Sequence, residues 1–119
     1  MHELSICQAL ITQVEQLARE QRARRVLSMV VAVGPLSGVE ASLLQQAYPF
    51  AAAGTLAEGA ELDIEQRPIR VHCPSCGQDS EATANRLVCG FCGDWRTELL
   101  SGDELILSRV EFEREQAYV

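Results

Sequence analysis

Four cysteines in the second half of the chain have the spacing of a metal site. The stretches CPSCG and CGFCG hold Cys73, Cys76, Cys89 and Cys92 in the pattern C-x2-C-x12-C-x2-C. Each pair directs two thiolates into one small volume, and two pairs complete the tetrahedral sulfur shell that Zn²⁺ prefers at about 2.3 Å per bond. Because protein fills all four positions, we expect a structural Zn(II) with no coordination position open for chemistry.

Three other uses of this cysteine module have to be weighed against zinc. A four-sulfur tetrahedral shell also suits a single iron. A redox-active CxxC dithiol needs only two of the four cysteines. Many zinc ribbons bind nucleic acid, but an acidic ribbon is a poor phosphate binder and better suited to docking a protein. The charged side chains of this segment are mostly acidic: Asp79, Glu81, Asp94 and Glu98 against Arg86 and Arg96.

Two further residues are of metal-binding type but have simpler explanations. Cys7 falls on the apolar stripe of a predicted helix, which favours a packed core thiol over a metal ligand. His72 precedes the first cysteine pair. It is either the last residue of a strand, or a conditional zinc ligand or hydrogen-bond partner of a ligand that makes the site respond to pH.

The N-terminus offers a second, different set of metal donors. The chain begins MHE, and an initiator methionine is retained when a bulky residue follows it. The Met1 α-amine, the His2 amide and the His2 imidazole can then form fused chelate rings, with the Glu3 amide as a fourth donor. Planar nitrogen ligation of this kind favours Ni(II) or Cu(II) over Zn(II). Taken alone, a histidine at position 2 is more often part of a solvated terminus.

Composition limits the possible partners. The chain has 119 residues, a formal net charge of −7 and ten basic residues, all of them arginine. An acidic surface argues against nucleic acid and anionic membranes, because phosphate binding needs clustered cations. No apolar run approaches the roughly 20 residues of a membrane span, and the N-terminus lacks the features of a secretory signal. We therefore expect a cytoplasmic protein.

Hydrophobic periodicity predicts two helices and a buried strand in the first half. One helix is predicted from about Glu3 to Arg22, and RVLSMVVAVG is typical of a buried strand. Ser37-Gly38-Val39-Glu40 has the form of a capping box that opens a second helix through Leu43, Leu44 and Ala47, and Pro49 should end or kink that helix. The stripe of the first helix is Leu4, Cys7, Ile11, Val14 and Ala18.

The second half adds two strands around the cysteine module. AELDIEQRPIRV alternates as a half-buried strand, and DELILSRVEFE places Ile106, Val110 and Phe112 on one face of a last strand. We predict an α/β fold, a layer of two helices on a three-stranded sheet with an inserted four-cysteine zinc ribbon. The expected domains are residues 1–70 plus 102–119, which would bind nickel, and residues 71–101, which would bind zinc.

Three segments together resemble one known family. MHELSICQALITQVEQ at the start, VVAVGPLSGVE in the middle and the C-x2-C-x12-C-x2-C pattern occur in the order found in the HypA/HybF family of hydrogenase nickel-incorporation proteins. The resemblance covers essentially the whole chain. It implies a nickel metallochaperone, not an enzyme, with a nickel site at Met1, His2 and Glu3 and a zinc site at Cys73, Cys76, Cys89 and Cys92.

The resemblance also implies partners. Family members deliver Ni(II) to the large subunit of [NiFe]-hydrogenase together with the GTPase HypB, and in some organisms they also serve urease maturation. The absence of a G-x-x-x-x-G-K-[ST] loop agrees with a GTPase supplied by a partner. The resemblance does not decide between a monomer and a homodimer. The alternative function is a zinc-ribbon adaptor that acts by protein contact alone, without delivering nickel.

Glu40 is a further candidate for the nickel site. In the simpler interpretation it is the glutamate of the capping box. In the functional interpretation its carboxylate, with that of Glu3, would offset the partial positive charge of a helix N-terminus, which otherwise repels a bound cation.

Overall fold

The first helix, α1, forms much as its periodicity predicts. A computed structural model describes residues 2–114, and in it α1 spans His2–Glu20. Arg22, with a φ of 54°, then turns the chain into the first strand. The predicted stripe is confirmed in its main part, although Leu4 at its outer end is only half-buried. The buried side chains of α1 are Cys7, Leu10, Ile11, Val14 and Ala18.

The predicted three-stranded sheet is confirmed. Its strands are β1 (Ala23–Val33), β2 (Glu61–Gln66) and, after three shorter elements, β6 (Leu105–Arg114), in the spatial order β2-β1-β6. Strand β1 is the central strand and has the most apolar sequence of the three, as expected of a strand whose side chains pack into the core. Val26, Met29 and Val31 are almost completely buried there.

The predicted capping box at the second helix is wrong. Helix α2 spans Ala41–Ala52, so Glu40 is its N-cap residue and not the third residue of its first turn. The Ser37 hydroxyl instead accepts a hydrogen bond from the Val39 N–H at 3.2 Å, which is a local turn. The same serine can bond its own backbone in a turn or at a helix end, and here the turn forms. The backbone of α2 begins with the Leu44 N–H bound to the Glu40 carbonyl at 3.0 Å.

The prediction for Pro49 was that it ends or kinks α2. The first alternative is wrong, because the helix continues to Ala52 with the proline inside it, and the kink stays a prediction. The Ala53 N–H still donates to the Pro49 carbonyl at 3.2 Å. Proline removes only one donor of the helix, and tertiary packing holds the turn that follows. Tyr48 and Ala52 are buried on either side of Pro49, whereas Phe50 is 81% exposed.

The segment predicted as one strand before the cysteines forms two. Strand β2 ends at Gln66, and β3 (Ile69–His72) begins after Pro68, which has no N–H to give to a sheet. Strand β3 lies between β4 (Asp79–Ala82) and β5 (Glu98–Ser101) and is antiparallel to both. These two short strands were not expected from the sequence, because they are largely exposed and carry little periodic apolar signal.

The chain divides into two compact units. One consists of Ala32–Val39 and Glu65–Ile106, and it contains the four clustered cysteines; the other contains both helices. The sequence-based boundaries, 1–70 plus 102–119 and 71–101, stay a prediction. Within residues 2–114, neither helix combines the length and apolarity that crossing a bilayer would require.

Candidate metal centre

The first cysteine pair lies in a tight turn after β3. The Cys73 N–H donates to the Gln78 carbonyl at 2.9 Å, and the Gly77 N–H donates back to the Cys73 carbonyl at 2.7 Å. Gly77 has a φ of 77°. Glycine adopts this conformation at a much lower free energy than a residue with a side chain does. Cys76 lies within this turn, so its thiol is carried back toward that of Cys73.

The second cysteine pair repeats this turn bond for bond. The Cys89 N–H donates to the Asp94 carbonyl at 2.9 Å, and the Gly93 N–H donates to the Cys89 carbonyl at 3.0 Å. Gly93 also has a φ of 77°. The Cys89 sulfur accepts hydrogen bonds from the backbone N–H groups of Phe91 and Cys92, at 3.3 and 3.4 Å. Two equivalent turns therefore present two thiols each to one place.

The four sulfur atoms are arranged as a tetrahedral metal requires. The Sγ atoms of Cys73 and Cys92 are 3.6 Å apart, as are those of Cys76 and Cys89, and all four lie within 4.8 Å of one another. Sulfurs on a tetrahedron with bonds of about 2.3 Å would be about 3.8 Å apart, whereas a disulfide would bring them to about 2.05 Å. The geometry fits zinc, and it fits a single iron equally well.

The thiols of this cluster differ in acidity. The backbone N–H groups of Cys92 and Phe91 lower the pKa of the Cys89 thiol to about 6. The backbone N–H of Gln78 acts in the same direction on Cys76, but burial and hydrogen bonds from the other thiols outweigh it and raise the pKa of Cys76 to about 12. Without a cation, four neighbouring thiols cannot all ionise, so a bound metal has to displace protons from the cluster.

Asp94 follows the second pair and is held by several donors. The Ser75 hydroxyl donates to Asp94 Oδ2, and the Arg96 N–H donates to Asp94 Oδ1 at 2.9 Å. The Arg96 guanidinium contacts both carboxylate oxygens at 3.3 Å. The Ser75 hydroxyl, followed by these Arg96 groups, holds the pKa of Asp94 well below its usual range.

His72 is not part of the thiol cluster. Its Nδ1 atom lies 2.7 Å from Asp79 Oδ1, on the directly opposite residue of β4. Among residues 2–114, the four cysteines form the one group of three or more His, Cys, Asp or Glu side chains with ligand atoms this close. The structure therefore supports the simpler interpretation of His72 as a strand-end residue with a carboxylate partner.

Cys7 is a core thiol, as predicted. It is 1% exposed, and its Sγ lies 3.5 Å from the Leu44 carbonyl oxygen of α2. Burial, and then the nearby Glu3 carboxylate, raise the pKa of this thiol. Both effects keep Cys7 protonated and unlike a metal-binding thiolate.

The N-terminal donors predicted for nickel are only partly described. Met1 lies outside the described residues. The His2 imidazole is 59% exposed, and its Nδ1 atom lies 3.1 Å from Glu3 Oε2. Since α1 begins at His2, the amides of His2 and Glu3 belong to the first turn, where N–H groups have no partner within the helix. These two amides are therefore available to a ligand.

Glu40 is exposed and makes no side-chain capping hydrogen bond to α2. The simpler interpretation of this carboxylate, as the glutamate of a capping box, therefore does not hold. Within residues 2–114, however, the carboxylate does not join His2 and Glu3 in a cluster of ligand atoms.

A groove beside the N-terminus of α1 was not expected from the sequence. It has a volume of about 510 Å³. Leu43, predicted as part of the apolar face of α2, is 41% exposed in this groove. No local pattern in the sequence indicates that Phe50, which follows Pro49, is exposed beside this groove. The lining residues are Glu3, Leu4, Leu43, Gln46, Ala47 and Phe50.

A four-thiol ribbon joined in one chain to a small helix-and-sheet unit defines a class of small metal-binding proteins. Residues 1–112 match the sequence model of the family described as "Hydrogenase/urease nickel incorporation, metallochaperone, hypA", and the chain belongs to this family. It is a nickel metallochaperone family by description, so the chain is not an enzyme.

Individual relatives agree with the family match. A protein of Nitrosospira multiformis named "Hydrogenase maturation factor HypA" is 55% identical over 111 residues, which cover 93% of this chain and 96% of the relative. A protein of the same name from Aquifex aeolicus is 42% identical over 113 residues, which cover 95% of this chain and 98% of the relative. The predicted family and its role in hydrogenase maturation are thereby confirmed.

Solved structures with the same fold carry related names. The structure titled "Solution structure of HypA protein" aligns with a TM-score of 0.74 and 26% identity over 97% of this chain and 98% of its own. The solution structure of the "Ni metallochaperone HypA from Helicobacter pylori" aligns with a TM-score of 0.68 and 25% identity, and the alignment covers 95% of this chain and 98% of that one. The predicted fold class is confirmed by these alignments and by the elements described above.

Proposed function

We propose that this chain binds Ni(II) at its N-terminus and helps insert it into the large subunit of [NiFe]-hydrogenase in the cytoplasm. The supporting observation is the exposed His2 imidazole, paired with Glu3 in the first turn of α1, where the amides are available as further donors. The Met1 amine, the His2 amide and imidazole, and the Glu3 amide form the proposed nickel ligands, with Glu40 as a carboxylate that balances charge.

In the same proposal the cluster of four cysteines holds a structural Zn(II). The chemistry of the donors supports a structural metal, because four thiolates at tetrahedral spacing leave no position for exchange with a substrate. A nickel cargo has to leave again, so an exposed nitrogen site and a closed sulfur site suit the two roles. The GTPase HypB is the proposed partner for the energy-requiring step, and proteins of urease maturation are a second class of acceptor.

The test compares the two histidines of the chain. Untagged wild type, His2→Ala and His72→Ala are titrated with Ni²⁺ by calorimetry, and zinc content is measured in each. We expect His2→Ala to weaken nickel binding at least about tenfold, or roughly 1.4 kcal/mol, with zinc retained. The matched control His72→Ala keeps nickel affinity, because its imidazole lies in the other compact unit beside Asp79. Equal affinity in all three proteins would contradict the N-terminal site.

The alternative function is an adaptor that works through protein contact alone. One observation favours it: the ribbon unit exposes large apolar side chains, with Phe91 68% and Trp95 75% exposed. Singly exposed apolar residues are common, but aromatic ones are enriched at protein interfaces. Nickel binding that depends on His2 separates the two functions, since an adaptor has no need of it.

A further inference from the structure

The two cysteine turns are joined by a hydrogen bond between side chains that are not metal ligands. Ser75, inside the first turn, donates its hydroxyl hydrogen to Oδ2 of Asp94, which directly follows the second turn. The two residues are 19 positions apart in the chain. Each turn supplies two of the four thiols, so this bond connects the two halves of the metal centre without using the metal.

The carboxylate of Asp94 is fixed from the second turn as well. The Arg96 N–H and guanidinium both bond it, and the backbone N–H of Asp94 itself donates to the Cys92 sulfur. The Arg96 guanidinium also lies over the Trp95 ring, 5.9 Å from its centroid. Asp94 is thus held to its own turn by several bonds and reaches across to the other by one.

The Ser75–Asp94 bond has no counterpart at the equivalent positions of the two turns. Because the two turns repeat one another, Phe91 occupies in the second turn the place of Ser75 in the first, and Gln78 corresponds to Asp94. A phenylalanine side chain has no hydroxyl to donate, so the pair Phe91 and Gln78 cannot form the equivalent bond. On that side the Gly90 N–H of the second turn donates to the Ser80 hydroxyl oxygen at 2.9 Å, which ties this turn to β4 and not to the first turn.

We propose that the Ser75–Asp94 hydrogen bond, referred to below as the cross-turn bond, is a positioning device that slows metal loss from the four-cysteine cluster. This inference rests on the proposed metal role of the four cysteines. Metal leaves such a site by successive thiol dissociation, and full release requires the two turns to separate. The four ligand atoms lie within 4.8 Å of one another in the cluster. By holding the turns together, the cross-turn bond keeps a dissociated thiol near the metal, which favours rebinding over escape.

A bond that persists without metal also prepares the site for binding. Metal binding orders the four thiols, which lowers the conformational entropy of the ribbon. If the two turns are joined before the metal binds, part of this entropy has already been lost and binding is more favourable. The cross-turn bond is therefore expected to raise affinity as well as to slow release. If Ser75 and Asp94 each only stabilised the fold, the effects of replacing them on metal release would be independent of each other.

The test measures metal release from the full-length protein. Metal-free protein is loaded with Co²⁺, whose absorption reports tetrahedral thiolate ligation, or with Zn²⁺, and release to an excess of EDTA is followed. Ser75→Ala should accelerate release by about tenfold, and Asp94→Ala at least as much, because it also loses the Arg96 bonds. The double variant should be no faster than Asp94→Ala. Ser75→Thr, which keeps the hydroxyl, should restore the wild-type rate.

A serine elsewhere in the same unit provides the matched control. Ser101 donates its hydroxyl to the Pro68 carbonyl at 2.8 Å, away from the thiols, so Ser101→Ala should leave the release rate unchanged. Fully additive effects of Ser75→Ala and Asp94→Ala would contradict the proposal, as would rates equal to wild type. The absence of a tetrahedral thiolate Co²⁺ spectrum in wild type would contradict the metal role of the cysteines, and this inference with it.

Discussion

Gly34 faces the backbone of Gly102 so closely that a Cβ atom on Gly34 would lie 2.1 Å from the Gly102 carbonyl oxygen. The segments around them are joined by backbone bonds from Gly34 N–H to the Glu104 carbonyl at 2.9 Å, and from Leu36 N–H to the Gly102 carbonyl at 2.7 Å. The glycine after β1 therefore permits the close approach of two chain segments, a role its place before Pro35 does not reveal.

Gly34→Ala should lower the free energy of unfolding by about 3 kcal/mol, because the obstructing atoms belong to the backbone and cannot rotate away. Urea unfolding followed by circular dichroism measures this. Gly38→Ala is the control. Gly38 has a φ of +79° but no atom within 4 Å of where a Cβ would lie, so we expect the free energy of unfolding to fall by only about 1 kcal/mol. Equal losses in the two variants would show that the close approach is unimportant.

Replacing Cys76 or Cys92 with serine should release the metal of the four-cysteine cluster. Wild type should carry about one Zn²⁺ per chain with four sulfur ligands by X-ray absorption. In such modules the free energy of binding is also free energy of folding, so the ribbon should lose its structure together with the metal. Full zinc retention in both variants would show that these thiols are not ligands, and iron in place of zinc would favour the single-iron alternative.

The parts of the fold that the sequence predicted correctly depend on local patterns. The apolar stripe of α1 and the apolar run of β1 can each be recognised from side chains within one element. The proximity of Cys73 and Cys76 in one turn can likewise be recognised from their spacing. The family resemblance added the function, which no local pattern contains. Here the physical argument and the resemblance agreed on the cysteine positions.

The errors and omissions arose where one sequence allows two local structures or where distant residues meet. Ser37 fits both a capping box and a turn, and the sequence does not decide between them. Pro49 was expected to end or kink α2, but packing on both sides of it lets the helix continue to Ala52. Ser75 and Asp94 lie far apart in the chain, so their hydrogen bond could not be predicted from spacing.

The unfolding free energy should fall as pH rises through the alkaline range, in part because of Cys7. Burial and Glu3 raise the pKa of this thiol above that of an unfolded cysteine, about 8.5. Its stabilising contribution is therefore complete below about pH 8.5 and is lost as pH rises toward the higher native pKa. Chemical unfolding of wild type and Cys7→Ala between about pH 7 and 10 measures the difference.

The Cys7→Ala protein should be less stable at neutral pH, since it loses a buried side chain, but its stability should depend less steeply on alkaline pH. A parallel pH dependence in the two proteins would contradict the assignment to Cys7. Native Cys7 should also resist alkylation at about pH 8, because a buried protonated thiol is a poor nucleophile.

Nickel binding should require a free N-terminus as well as His2. N-terminal acetylation, or a long tag before Met1, should weaken nickel binding at least about tenfold, roughly 1.4 kcal/mol, although the His2 imidazole remains. Binding should also weaken in acid, because nitrogen ligands must be deprotonated to bind a metal. Calorimetric titration with Ni²⁺ at several pH values measures both effects.

A single glycine added before Met1 is the informative control for this prediction. It places the histidine third and creates one local chelate from an amine, two amides and an imidazole, so nickel binding should persist or strengthen. Transfer to the hydrogenase large subunit should nevertheless suffer, because the tighter chelate no longer has the geometry of the exposed first turn of α1. If a long tag leaves both nickel affinity and its pH dependence unchanged, the terminal amine is not a ligand, and Glu3, Glu40 and His72 become the side chains to substitute next.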